Sequence, residues 1–180
     1  MKLYLVRHGE SQANVAGIVN DDPHRSVDLT PRGRSQAAAA ARHLRGLDFE
    51  VAYISRFPRA RQTAEILLAA LGLVVPLRED HRLDERRSGL DGRPVEAFNA
   101  LVRPDPLHIR PEGGESFLEQ MERVQAFIDD VSRLHPRALV LAVSHENPIQ
   151  AALAVAGLDP EQAARGGLGN AEFRVLEWKP

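Results

Sequence analysis

Three short apolar runs in this chain stop in the same manner, on residues that can meet an anion. Lys2 to Val6 ends at Arg7-His8-Gly9-Glu10, Val51 to Ile54 ends at Ser55-Arg56, and Ala138 to Val143 ends at Ser144-His145. Runs of this length, bounded by charge and glycine, predict buried parallel strands with loops at their carboxyl ends. Leu73 to Leu77 is a fourth strand candidate, and Pro76 suits it to an edge or a strand end. Glu172 to Trp178, with Phe173, Val175 and Leu176 apolar, predicts a late edge strand.

Helical patterns fill the intervals. Thr30-Pro31 is an N-cap followed by proline at the first helical position, and the alanine-rich stretch after it runs to Gly46. Pro58 to Leu71 is a helix that Gly72 ends. Ser116 and Glu119 form a capping box, after which Phe117, Met121, Val124, Ile128, Val131 and Leu134 mark one face. Asn147-Pro148 opens a further helix closing at Gly157. Strands alternating with helices predict an α/β fold with a mainly parallel sheet.

Composition narrows the function. A chain of 180 residues suits one domain, 1–180. Net charge of -2 is too balanced for a broad nucleic-acid-binding face, so no nucleic-acid partner is expected. Cysteine is absent, which removes disulfides, thiol nucleophiles and Cys-based metal sites. No apolar run is long enough for a membrane span and no signal peptide opens the chain, so the expectation is a cytoplasmic protein without a membrane partner. Arginine outnumbers lysine 21 to 2, in keeping with genome composition or with phosphate binding.

In open α/β sheets, ligands bind at the carboxyl ends of the strands. Here those ends carry Arg7 and His8, Ser55 and Arg59, and His145, without a cluster of carboxylates. That set asks for an anion. Gly9 allows close approach of backbone amides, Ser11 and Asn14 add hydrogen-bonding groups, and Thr63 shares a helix face with Arg59. His24, His43, His81, His108 and His135 lack ligand spacing and are expected at the surface.

With these residues in place, the chain resembles the histidine phosphatase superfamily, which includes cofactor-dependent phosphoglycerate mutases. Arg7-His8-Gly9-Glu10-Ser11 with Asn14 is similar to the opening motif, and Ser55 to Ala64 is similar to the second. Leu83-Asp84-Glu85 followed by Gly89, then Gly113-Gly114-Glu115-Ser116, resemble later segments, and Val143-Ser144-His145 matches the second histidine. The resemblance implies a phosphoglycerate mutase-like, three-layer α/β sandwich with helices on both faces of the sheet. It implies His8 as the nucleophile, with Arg7, Asn14, Arg59 and His145 binding the phosphoryl oxygens. Glu85 would protonate the leaving oxygen, with Asp84 or Glu10 as alternatives. Ser11, Arg86, Glu115 and Glu146 are expected to meet the substrate.

The family commonly has glycine where this chain has Glu146, so that carboxylate should point away, contact the leaving group, or favour a protonated His145. The activity expected is a phosphomonoesterase without metal or cofactor, acting on a small phosphorylated metabolite through a phosphohistidine. Phosphoglycerate mutase-type transfer is the alternative, and a catalytically silent phosphate-binding module a third. Selectivity should lie between His81 and Pro111, where Arg82, Arg86, Arg87, Arg103 and Arg110 fall. Oligomeric state is open, a homodimer included.

Overall fold

In the computed structural model, which describes residues 1–179, the three apolar runs lie side by side. They are β1 (Lys2–Arg7), β2 (Phe49–Ile54) and β4 (Leu139–Ser144), with β4 between the other two and all three parallel. A short β3 (Leu77–Glu79) extends the sheet beside β2, and β5 (Phe173–Glu177) runs antiparallel along β1. The order is β3-β2-β4-β1-β5.

Alternation sorts the strand residues onto two faces. Leu3, Leu5, Val51, Tyr53, Val140 and Ala142 meet α5 (Phe117–Leu134), α6 (Glu146–Val155) and α7 (Pro160–Ala164). Val6, Ala52, Ile54, Leu141 and Val143 meet α2 (Pro31–Ala40) and α3 (Pro58–Leu71). The result is the expected three-layer sandwich. Among the described residues, no helix is long and apolar enough to cross a membrane.

The capping residues act as their spacing predicts. Thr30 Oγ1 accepts from Gly33 N at 3.0 Å, and Ser116 and Glu119 satisfy each other's backbone amides at 3.1 and 2.8 Å. Several boundaries differ for local reasons. The fourth strand begins at Leu77, because Leu73 N returns to Leu68 O to close α3, and pairing with β2 starts at the Pro76 carbonyl. The alanine-rich helix tightens into a 3-10 turn over Ala41–Leu44. His145 itself caps α6, which starts at Glu146 rather than Asn147. On α5, Gln120 and Phe127 are buried while Leu134 is exposed. His135 is half-buried against the Tyr53 hydroxyl rather than at the surface. Two short helices lie outside the expected set, α1 (Gln12–Ala16) and α4 (Val95–Val102).

Strand register places the chemistry. Arg7 pairs with Ser144, and Ile54 with Val143, so His8, His145 and Ser55 emerge together at the carboxyl edge. The ladder continues past the strands, with His8 N donating to Ser144 O at 3.0 Å and Ser55 N to Val143 O at 3.1 Å. The loop after β1 then lies against the first turn of α2 at two glycines. A Cβ on Gly33 would stand 2.0 Å from the Glu10 carbonyl oxygen, and one on Gly9 would stand 2.4 Å from that of Gly33.

Backbone cannot yield as a flexible side chain can, so Gly33→Ala should destabilise the protein by about 1–3 kcal/mol. For a chain of this length that is a fall of roughly 2–12 °C in Tm. Thermal denaturation followed by circular dichroism checks it, and an unchanged Tm would show that this contact does not constrain the loop.

Candidate active site

Arg59, on the first turn of α3, reaches across the carboxyl edge and touches both histidines. Its Nε donates to His8 Nε2 at 3.1 Å and its Nη2 to His145 Nδ1 at 3.2 Å. Its Nη1 and Nη2 also donate to the side-chain and backbone carbonyls of Asn20, the latter at 3.1 Å. Phe57 fills the space behind, 4.4 Å from the Arg59 guanidinium carbon and 4.7 Å from the His145 ring.

These bonds fix the tautomers, because a carbonyl only accepts and a guanidinium only donates. His8 Nδ1 must carry a proton, which it donates to Gly9 O at 2.7 Å, leaving the Nε2 lone pair toward Arg59. His145 Nδ1 must be the bare nitrogen, and Nε2–H then donates to Ser55 Oγ at 2.8 Å. Both imidazoles are neutral. Burial lowers each pKa well below the usual histidine value, and the Arg59 charge lowers them further. Burial also depresses Arg59, to about 10.

A cavity of about 720 Å³ opens over this cluster, lined among others by Arg7, His8, Asn14, Arg59, Glu85 and Glu146. Ser11 and Arg86 also line it, while His145, wholly buried, backs Arg59 from behind. Glu85 Oε1 accepts from Arg86 N at 2.8 Å and from Asn147 Nδ2 at 3.2 Å, and its Oε2 lies 4.0 Å from His145 Nδ1. Burial raises the Glu85 pKa, against the opposing pull of the Arg86 amide and the Arg59 and Arg7 charges. Neither alternative acid lines the cavity. Asp84 is held by Arg56 through its amide, Nε and Nη2, and Glu10 accepts from the Thr30 hydroxyl at 2.7 Å.

Three of the residues expected to meet the substrate are engaged within the protein. Glu115 is 1% exposed and turned inward, where it takes Arg123 at 2.7 Å and Arg87 N at 3.1 Å; it braces the loop that carries Glu85 and meets no ligand space. Ser11 spends its hydroxyl on a capping box with Asn14. Glu146 turns to Arg7 Nη1 at 2.9 Å and accepts from Leu168 N at 3.1 Å, so its partner is an arginine rather than His145. Of the arginines between His81 and Pro111, only Arg86 and Arg103 line the cavity; Arg82, Arg87 and Arg110 are engaged by carboxylates.

Several participants carry no readable signal in the sequence. Asn20 sits in an Asn-Asp-Asp-Pro stretch that reads as a turn, and Arg123 on the polar side of α5 reads as solvated. Arg123 in fact donates to the backbone carbonyls of Arg82 and Asp84, the latter at 2.9 Å. Asn170 Nδ2, from the far end of the chain, holds His8 O at 3.1 Å. Arg7 Nε is buried with no partner among the described residues. The ensemble is two fixed cations, two neutral imidazoles and one carboxyl of raised pKa around a cavity, a setting suited to an oxyanion.

The chain is similar to known proteins in sequence and in fold. The chain is 33% identical to a 2,3-bisphosphoglycerate-dependent phosphoglycerate mutase of Methylobacterium radiotolerans, over 85% of this chain and 77% of that one. It is 32% identical to the adenosylcobalamin/alpha-ribazole phosphatase of Escherichia coli, over 86% and 78%. A mycobacterial glucosyl-3-phosphoglycerate phosphatase, solved in complex with VO3, superposes with a TM-score of 0.83 at 27% identity, covering 98% of this chain and 90% of that one. Residues 3–180 match the histidine phosphatase superfamily (branch 1), and the chain belongs to that family.

Proposed function

We propose that this protein is a phosphomonoesterase that hydrolyses a small phosphorylated metabolite through a phosphohistidine on His8, with no metal. The observation that carries the reading is the tautomer of His8. With Nδ1–H held by Gly9 O, the unprotonated nitrogen is Nε2, whose lone pair accepts from Arg59 Nε at the cavity wall that both residues line.

The arriving phosphoryl oxygens take donors of the Arg59 and Arg7 guanidinium groups and of the Asn14 amide, all residues that line the cavity, which releases the His8 lone pair. His8 Nε2 attacks phosphorus and the ester P–O bond breaks. The leaving oxygen takes the proton of Glu85, whose raised pKa keeps that proton available on the acid side of neutrality. Water then attacks the phosphohistidine, the P–N bond breaks, and the Glu85 carboxylate takes the water's proton. Inorganic phosphate leaves and the starting states of His8 and Glu85 are restored. The fixed arginine charge supplies the stabilisation a metal would otherwise provide.

The mutase relatives support a second reading, phosphoryl transfer between two hydroxyls. Such transfer must shield the phosphohistidine from water. Only about thirty residues separate Glu85 from Glu115, and they form one wall of an open cavity, which favours hydrolysis.

His8→Ala should abolish turnover while the circular dichroism of a folded protein is kept, and the wild type, quenched during turnover, should contain an acid-labile, base-stable phosphoprotein. Turnover by the folded variant would remove His8 from the chemistry.

Glu85→Gln should slow alkyl phosphates by roughly 10²–10⁴-fold and aryl phosphates much less. The pH profile has a defined sign. Rate on alkyl esters should fall as pH drops through the lowered His8 pKa, which protonates the nucleophile. It should fall again as pH rises through the raised Glu85 pKa, which empties the acid. The variant should lose the basic limb, and equal losses on both ester classes would assign Glu85 a binding role.

With 3-phosphoglycerate, phosphate release should outpace isomerisation, survive a chelator and be inhibited by vanadate. Faster isomerisation selects the mutase reading, and loss in chelator restored by a divalent ion ends the metal-free one.

A further inference from the structure

Past the phosphoryl-binding floor, the cavity runs along one side of α4. Val95, Phe98, Asn99, Val102 and Arg103 all line it, the spacing of a single helical face. Ile18 and Val19, just beyond α1, line it too. This slot is built rather than incidental. Val95 N donates to Gly17 O at 3.0 Å and Ile18 bridges Pro94, which locks α4 to the segment after α1. The Phe98 ring lies 5.2 Å from the Arg86 guanidinium carbon, and Arg86 is held in place by its Nε and Nη2 donating to the carbonyls of Glu115 and Ile109.

Volume and charge narrow the occupant. The cavity's 720 Å³ lies in the range, roughly 300–1,000 Å³, that holds a drug-sized ligand rather than a phosphate on a two- or three-carbon alcohol. Among the described residues its lining holds two carboxylates, Glu85 and Glu146, both on the floor and both engaged. The lining also carries Arg103 and Arg165. Arg103 is paired with Glu96 at 2.7 Å, but the exposed Arg165 side chain has no partner among the described residues. An ammonium group on the leaving alcohol would find no free carboxylate there, whereas an anion would find Arg165.

We propose that this slot is a leaving-group subsite for an alcohol with an apolar ring body and a negative group remote from the ester oxygen, and that it discriminates against ammonium-bearing alcohols. The inference rests on the phosphatase reading for its use, but the subsite can be measured by binding alone.

Alkylphosphonates keep the phosphoryl oxygens and do not turn over. Calorimetric titration would compare ethylphosphonate, 2-(1-naphthyl)ethylphosphonate, and naphthyl analogues bearing a distal carboxylate or a distal aminomethyl group. The naphthyl body should lower Kd by about tenfold or more. The carboxylate should lower it further and the aminomethyl group should raise it. Val95→Asp, at an exposed rim position, should cancel the naphthyl gain, and Arg165→Ala should cancel the carboxylate gain; unchanged Tm shows that both variants fold. Ethyl and naphthylethyl phosphonates within about twofold of each other would overturn the subsite. So would an aminomethyl analogue that binds as tightly as the carboxylate. If the binding ratios hold while no phosphate is released from the matching esters, the phosphatase reading fails and the subsite stands. Phosphate release with flat binding ratios overturns the subsite and leaves the phosphatase reading in place.

Discussion

Arg59 is a guanidinium 3% exposed, with no carboxylate within bonding distance among the described residues, and the site is arranged around that fact. Burying an unpaired cation costs several kcal/mol, which only well-placed acceptors and a polarisable neighbour offset. Here the acceptors are the two imidazoles and both carbonyl oxygens of Asn20, and the neighbour is the Phe57 ring. A protonated histidine could not accept from Arg59 and would add a second buried positive charge. The same cation thus holds His8 and His145 neutral and fixes where their lone pairs lie. On the proposed function, a phosphoryl dianion entering the cavity would supply the missing opposite charge and turn the unfavourable term in the free protein into binding strength in the complex.

The proposed acid depends on a separate brace. Glu85 lies on a loop that has no regular structure of its own to hold it. Arg123 spans from α5 to the carbonyls of that loop, and the buried Glu115 carboxylate neutralises Arg123 and takes the Arg87 amide. Because Glu115 and Arg123 satisfy each other behind the loop, Glu85 can occupy a partly desolvated position where its pKa is raised. The conspicuous Gly-Gly-Glu-Ser segment therefore serves the site from behind, through a buried ion pair rather than through contact with ligand.

Glu146 illustrates how a departure from the family pattern is accommodated. A carboxylate beside a phosphate site would repel the ligand if it faced it. Instead it is turned to Arg7 and the Leu168 amide, joining the end of β1, the first turn of α6 and the segment before β5. Arg7 is held by Glu146 and by the Leu168 carbonyl through Nη1, and its Nε is buried without a partner among the described residues. One carboxylate both orients a cation and trims the net positive charge of the site.

What the sequence determined by itself was local or cumulative. Strand runs ending in His8, Ser55 and His145, the caps at Thr30 and Ser116, and Pro58 with Gly72 around α3 all act within a turn or two of the chain, where propensity and hydrogen-bond geometry are readable. Their convergence at one sheet edge followed from α/β alternation alone. The rest depended on contacts between distant segments. Whether Glu85, Asp84 or Glu10 faces the cavity was decided by Arg56 and Thr30 taking the latter two. Asn20, Arg123 and Asn170 joined the site across many intervening residues, and the face of α4 became a wall only because the segment after α1 packs on it. In each case one polar side chain satisfies another across the fold, and such pairings leave no periodicity in the sequence by which they could be foreseen.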